Sequence, residues 1–130
     1  MKKVFLGGTC NDSDWRDRII PALQIEYFNP VVDDWTPAHL AAEVLMRDRC
    51  DFCLYVITPR MTGVYAIAEV VDDSNKRPEK TIFVPLLNDK DLTFDAGQWK
   101  SVNAVRRLVE ANGAQVFGDL LRAAYYMNNH

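Results

Sequence analysis

Apolar positions along the chain alternate between two periods. Residues 3–6 are a short β-favouring run closed by Gly7-Gly8-Thr9, and residues 14–24 then carry Trp15, Ile19, Ile20 and Leu23 at helical spacing. This pattern predicts a strand, a turn and a helix, with Asp12 or Ser13 capping the helix and Pro21 kinking it. Residues 25–28 make a second short strand, stopped by Asn29-Pro30. Thr36-Pro37 marks a helix start, because threonine caps free amides and a proline at the first helical position sacrifices no hydrogen bond; this helix runs to about Arg49. Residues 51–58 are almost continuously apolar, as expected of a strand covered on both faces, and Pro59 ends them. A helix over about 64–74, a strand over 81–87, a longer connection over 88–100 and a helix over 101–111 follow. Gly113 stops that helix, and a short strand over 115–117 and a terminal helix over 119–127 complete the chain.

Strands alternating with helices of this length imply βαβ units, whose right-handed crossovers give a parallel sheet with helices on both faces. The expected architecture is an open, doubly wound α/β sheet of about five strands, in one domain spanning residues 1–130. Such sheets bind ligands beyond the carboxyl ends of their strands. Here those ends are Gly7-Gly8-Thr9, Asn29-Pro30, residues 58–63 and residues 85–88.

Composition narrows the function. A hydrophobic share of 48% with 25% charged residues is that of an ordinary globular protein able to bury a core without metals or disulfides. Fifteen basic and eighteen acidic residues leave a net charge of -3, and no stretch concentrates Lys and Arg along a track, which disfavours binding to long nucleic acid. The clusters Arg47/Arg49 and Arg106/Arg107 fall in helical segments and read as solvated helix faces. Three cysteines, an odd number with no signal peptide or long apolar run before them, point to a reducing, cytoplasmic setting without a membrane segment. Cys50 and Cys53 have C-x-x-C spacing, but they lead into a strand rather than a helix and lack two further zinc ligands, so they read as buried structural thiols.

Few residues stand out as chemical candidates. Gly7-Gly8 is either a tight strand-to-helix turn or a place where backbone meets a ligand closely, and no dinucleotide fingerprint or P-loop accompanies it. Glu69 lies early in a helix after the central strand, between Ala68 and Val70. It is either an exposed acid or a carboxylate that faces a pocket while staying ionised near the helix N-terminus. Glu43 pairs with Arg47 at i,i+4 spacing or faces a ligand, and Asp33 and Asp34 are loop acids or partners of a ligand hydroxyl. With His39 and His130 the only histidines, a histidine triad or metal centre is disfavoured.

Taken in order, Gly7-Gly8-Thr9 with Trp15-Arg16, Asn29-Pro30 with Trp35, the run from Leu54 to Pro59, and Gly63-Val64-Tyr65 leading to Ala68-Glu69 resemble the nucleoside 2-deoxyribosyltransferase-like family over roughly residues 3–87. The resemblance implies a flavodoxin-like fold and cleavage of the N-glycosidic bond of a nucleoside or nucleotide, without metal or organic cofactor. It makes Glu69 the nucleophile that attacks the sugar, and Glu43 the acid of the preceding helix that contacts the nucleobase and helps protonate it. Members place a tyrosine on the first strand, where this chain has Phe5, and an aspartate shortly before the nucleophile, where it has Thr62-Gly63; Tyr65, one turn before Glu69, is the candidate replacement phenol. Gly7, Gly8, Thr9, Trp15, Asn29, Asp33 and Gly63 are the expected substrate-binding positions.

The expected function is (deoxy)ribosyl transfer between nucleobases. The alternatives are hydrolysis of the same bond, where water replaces the acceptor base, and a non-catalytic nucleotide-binding module. A homo-oligomer is also expected, because so short a chain has few residues to close a pocket and related enzymes complete theirs with a neighbouring protomer. The terminal segment with Leu121, Tyr125, Tyr126 and Met127 is its candidate contact.

Overall fold

In the computed structural model, which describes residues 1–10 and 12–130, five strands form one parallel sheet. They are β1 (Lys3–Gly8), β2 (Glu26–Phe28), β3 (Phe52–Ile57), β4 (Thr81–Pro85) and, at the far edge, β7 (Gln115–Val116). The spatial order is β2-β1-β3-β4-β7, the doubly wound arrangement expected from the alternating pattern and the flavodoxin-like one implied by the resemblance. All six residues of β3 are buried, which explains their unbroken apolar character: this central strand is covered on both faces.

Among the described residues five α-helices flank the sheet: α1 (Trp15–Ile19), α2 (Pro37–Arg49), α3 (Tyr65–Lys76), α4 (Ala96–Ala111) and α5 (Leu120–Asn129). Alternate strand residues divide the core between two faces. On one, Val4, Leu6, Leu54 and Val56 pack with Trp15 and Ile19 of α1 and with Ala123 and Met127 of α5. On the other, Phe5, Tyr55, Ile57 and Phe83 pack with Met46 of α2, Val70 of α3 and Val102 of α4. Among the described residues no helix is long and apolar enough to cross a membrane.

The caps explain where helices begin. Thr36 accepts from the His39 amide at 3.3 Å while His39 Nδ1 accepts from the Thr36 amide at 3.2 Å, a reciprocal cap before Pro37. The first helix departs from expectation. It starts at Asp14 without a side-chain cap, because Ser13 donates instead to Asp89 at 2.6 Å, and it passes into a 3₁₀ turn at Ile20–Ala22, where Pro21 removes an amide. The connection over 88–100 is also not structureless. It holds a small antiparallel hairpin of β5 (Asn88–Asp89) and β6 (Leu92–Thr93), and α4 begins five residues earlier than the apolar period suggests. There Asp95 accepts from the Gln98 amide at 2.7 Å and Gln98 returns the bond at 3.1 Å, so polar chemistry rather than hydrophobic spacing sets this start.

Candidate active site

From β1 the chain crosses to β2 on one side, and β3, β4 and β7 continue on the other, so the sheet changes winding direction between β1 and β3. Crevices open at such a point, beyond the carboxyl ends of the strands. A cleft of about 210 Å³ lies there, with Gly8, Thr9 and Cys10 on one side and Met61, Gly63 and Tyr65 on the other.

Hydrogen bonds make this turn rigid. The Thr9 amide donates to the Val56 carbonyl at 2.8 Å, and the Thr58 amide donates to Thr9 Oγ1 at 2.9 Å, tying the ends of β1 and β3 together. Trp15 Nε1 and Arg16 Nη1 both donate to the Thr9 carbonyl at 2.8 Å, and Arg16 Nε and Nη2 donate to the Leu6 carbonyl at 3.1 and 2.9 Å. Burial holds the Arg16 guanidinium below its ordinary pKa, while Cys10, Glu43 and Glu69 oppose that fall. Gly7 leaves no room for a side chain, since a Cβ there would lie 2.6 Å from the Tyr55 ring.

Glu69 sits one turn into α3 and is only 8% exposed. Its nearest charge partner is Arg47 of α2, whose Nη1 approaches Glu69 Oε2 to 3.8 Å. Arg47 Nε and Nη2 donate to Asp73 at 3.1 and 2.9 Å, and Nη2 also reaches Asp72 at 2.8 Å. The Tyr55 hydroxyl donates to Asp73 from β3, and Arg77 Nη1 donates to it at 2.6 Å. Burial alone would lower the Arg47 pKa, yet the hydrogen bond to Asp73 and the nearby Tyr55, Asp73 and Glu69 hold it well above its ordinary value. Burial pushes the Glu69 carboxyl up to about 7; Arg47 and Arg16 oppose the rise, and Glu43 and Asp73 add to it. A carboxyl so placed changes charge near neutral pH, which is unusual for a glutamate and common among groups that do chemistry.

The expected site residues divide into three groups. Gly8, Thr9, Gly63 and Tyr65 line the cleft, Gly7 lies just before it against the Tyr55 ring, and Glu69 lies one turn beyond Tyr65 on the same helix. Glu43, half-buried on α2, exerts its charge on Glu69 and accepts from Trp35 Nε1 at 3.3 Å. Trp15, Asn29 and Asp33 are placed elsewhere. The Trp15 ring is fully buried in the core and braces the turn from behind, Asn29 accepts from the Val31 amide at 3.1 Å, and Asp33 is exposed in the loop between β2 and α2. Tyr65 is 54% exposed, and among the described residues no side-chain hydrogen bond joins it to Glu69. Nor are three His, Cys, Asp or Glu side chains among the described residues grouped as a metal site requires.

Arg47 corrects the sequence reading. Far from lying on a solvated face, its side chain is 8% exposed and bound to acids of the next helix. The local sequence pattern does not single out Tyr55 or Asp73, although Glu69 and Asp73 stand at i,i+4 positions on the buried stripe of α3 that contains Val70. Two acids of like charge on a buried stripe require a cation from another element, and this spacing is the sequence signal for Arg47. Cys50 and Cys53 are buried free thiols, as expected; burial pushes Cys53 up to about 12, and its Sγ donates to the Arg47 carbonyl at 3.1 Å.

Among curated proteins, none matches the chain. A family model described as "Nucleoside 2-deoxyribosyltransferase like" matches residues 1–86, which include β1 to β4 and every residue of the site just described. With that match over well more than half of its length, and with the doubly wound sheet and the crevice at its switch point, the chain belongs to the nucleoside 2-deoxyribosyltransferase-like family.

Proposed function

We propose that this protein transfers the (deoxy)ribosyl group of a nucleoside or nucleotide through a covalent ester on Glu69. The observation that carries this reading is a buried carboxyl at the switch point of the sheet, beside Arg47 and one turn from the cleft. As a carboxylate, Glu69 attacks the anomeric carbon of the sugar while the bond to the nucleobase breaks and its electron pair leaves with the base. Glu43 contacts the base and assists its protonation, and Tyr65 at the cleft wall supports the sugar. A second base then attacks the same carbon and releases Glu69 as a carboxylate. Positive charge builds on the sugar ring in both steps, and a carboxylate at that carbon stabilises it. The backbone around Gly7, Gly8 and Thr9 and the open position at Gly63 form the surface on which the sugar rests.

Incubating a deoxynucleoside with and without a free acceptor base, and separating products by chromatography, tests the reading. Base exchange that needs the acceptor supports transfer, free base released equally without it identifies a hydrolase, and binding with no released base identifies a non-catalytic module.

The cleft, at about 210 Å³, is smaller than the roughly 300 Å³ typical of the smallest ligand pockets. This supports a homo-oligomer in which a second protomer covers the base. Of the four expected contact residues Met127 is buried in the core and Tyr126 packs against it, so Leu121 and Tyr125, 69% and 71% exposed on α5, form the candidate contact, and light scattering at micromolar concentration is the test. An active monomer overturns the oligomer.

A further inference from the structure

We propose that Arg47 is a positioning residue for Glu69, divided between that carboxyl and the Asp73 carboxylate, so that Asp73 governs how much of the cation Glu69 receives. The consequence for turnover rests on Glu69 being the nucleophile; the coupling itself is a property of the substrate-free protein.

Geometry carries the inference. A guanidinium is a planar fork of fixed shape, so committing two of its nitrogens places the third. Arg47 Nε and Nη2 are bound to Asp73 at 3.1 and 2.9 Å, which leaves Nη1 at 3.8 Å from Glu69 Oε2, beyond hydrogen-bond length. Asp73 cannot give way. Its side chain is fully buried and held from three directions, by Tyr55 of β3, by Arg47 of α2 and by Arg77, the residue just past the end of α3. Asp72 takes a second bond from Nη2 and fixes the fork further.

The charged groups facing Glu69 are Arg16 from α1, Glu43 and Arg47 from α2, and Asp73 from α3. Two cations therefore stand against two other acids. Burial raises the carboxyl most, and against so even a balance of charges the distance of one guanidinium arm moves its titration further up or down. A full hydrogen-bonded pair would hold Glu69 more firmly ionised but draw electron density from the oxygen that must attack, whereas the long contact favours the charge without binding that oxygen. When the ester forms and Glu69 loses its charge, Asp73 and Asp72 still neutralise Arg47, so no buried cation is stranded.

Carbon-13 NMR of protein labelled at the glutamate carboxyl, with the Glu69 signal assigned by its loss in Glu69→Gln, reads the pH midpoint of this group without substrate. Asp73→Asn keeps the shape and still accepts from Tyr55; it is expected to lower the midpoint by about one pH unit, the size of a close charge effect. Arg47→Gln is expected to raise it by a similar amount. Should Arg47→Gln fail to fold, Arg47→Lys retains the charge without the fork and is expected to raise it less. In the Arg47→Gln or Arg47→Lys background the effect of Asp73→Asn should shrink to its direct charge effect, because the part exerted through the arginine is lost. Shifts of the same sign in both single variants, no shift, or full additivity in the double variant would overturn the proposal. Opposed shifts in a protein that turns over no nucleoside would leave the coupling standing and remove the nucleophile assignment. Glu69-dependent turnover without the shifts would do the reverse. In the active enzyme the acid limb of kcat/KM is expected to follow the midpoint, which loss of packing alone would not produce.

Discussion

Gly8 approaches Val56 so closely that a Cβ placed on it would lie 2.1 Å from the Val56 carbonyl oxygen, and its φ of 123° is one that side chains rarely adopt. Gly8→Ala therefore clashes with backbone that cannot move without breaking the β1–β3 ladder, and it should destabilise the fold by about 3 kcal/mol or more. Gly63 is the control. No atom lies within 4 Å of a Cβ built there, so Gly63→Ala should keep the melting temperature. Thermal unfolding of the two variants checks the contrast, and any loss of activity in Gly63→Ala would then report on ligand contact.

Glu69→Gln should abolish turnover and stabilise the protein at neutral to alkaline pH. Folding raises this carboxyl from 4.5 to about 7, so the native state holds the proton more tightly than the unfolded chain does. The native state is therefore penalised progressively as pH rises from 4.5 through 7, and fully above it. Removing the ionisable group relieves a penalty on the order of 2–3 kcal/mol above pH 7, with no gain below about pH 4.5. Urea unfolding of wild type and Glu69→Gln at pH 4.5 and pH 8 checks the sign. A variant less stable than wild type at pH 8 would show that the carboxyl supports the fold rather than straining it. In the wild type, kcat/KM should rise with pH through about 7, as the attacking carboxylate forms.

Glu43→Gln should slow departure of the base without abolishing it. A group that assists protonation contributes roughly 10²-fold or more, and the amide keeps the bond from Trp35 Nε1 while losing the proton. Steady-state kinetics should show a raised KM for the nucleoside together with a kcat lowered by about that factor. An unchanged KM and kcat would leave Glu43 as nothing more than the anchor of Trp35.

Thiol reactivity should separate the cysteines. Cys10 is exposed, whereas Cys50 and Cys53 are buried and burial raises both thiols, Cys53 to about 12. Brief iodoacetamide treatment of the native protein, followed by peptide mass spectrometry, should label Cys10 alone. Rapid labelling of Cys53 would mean that the β3 core opens readily.

The sequence by itself determined the alternation of strands and helices, the parallel sheet, the thiol environment and the start of α2. Each is written within a window of a few residues: the apolar run of β3 needs only its own length, and the Thr36–His39 cap spans one turn. The short-range polar start of α4 was equally legible in Asp95 and Gln98, but a search led by apolar spacing passes over it. Only the tertiary structure decided what surrounds Glu69. Arg47 and Asp73 are 26 residues apart and Tyr55 and Asp73 are 18 apart, and they meet because the crossovers lay α2 and α3 against the same sheet face. Trp15 went the other way, into the core, where its indole holds the Thr9 carbonyl instead of facing a ligand. Local pattern shows which residues are apolar or charged. Which charge a buried carboxyl meets depends on the packing of distant helices, because inside a protein an acid must find its partner wherever the fold brings one.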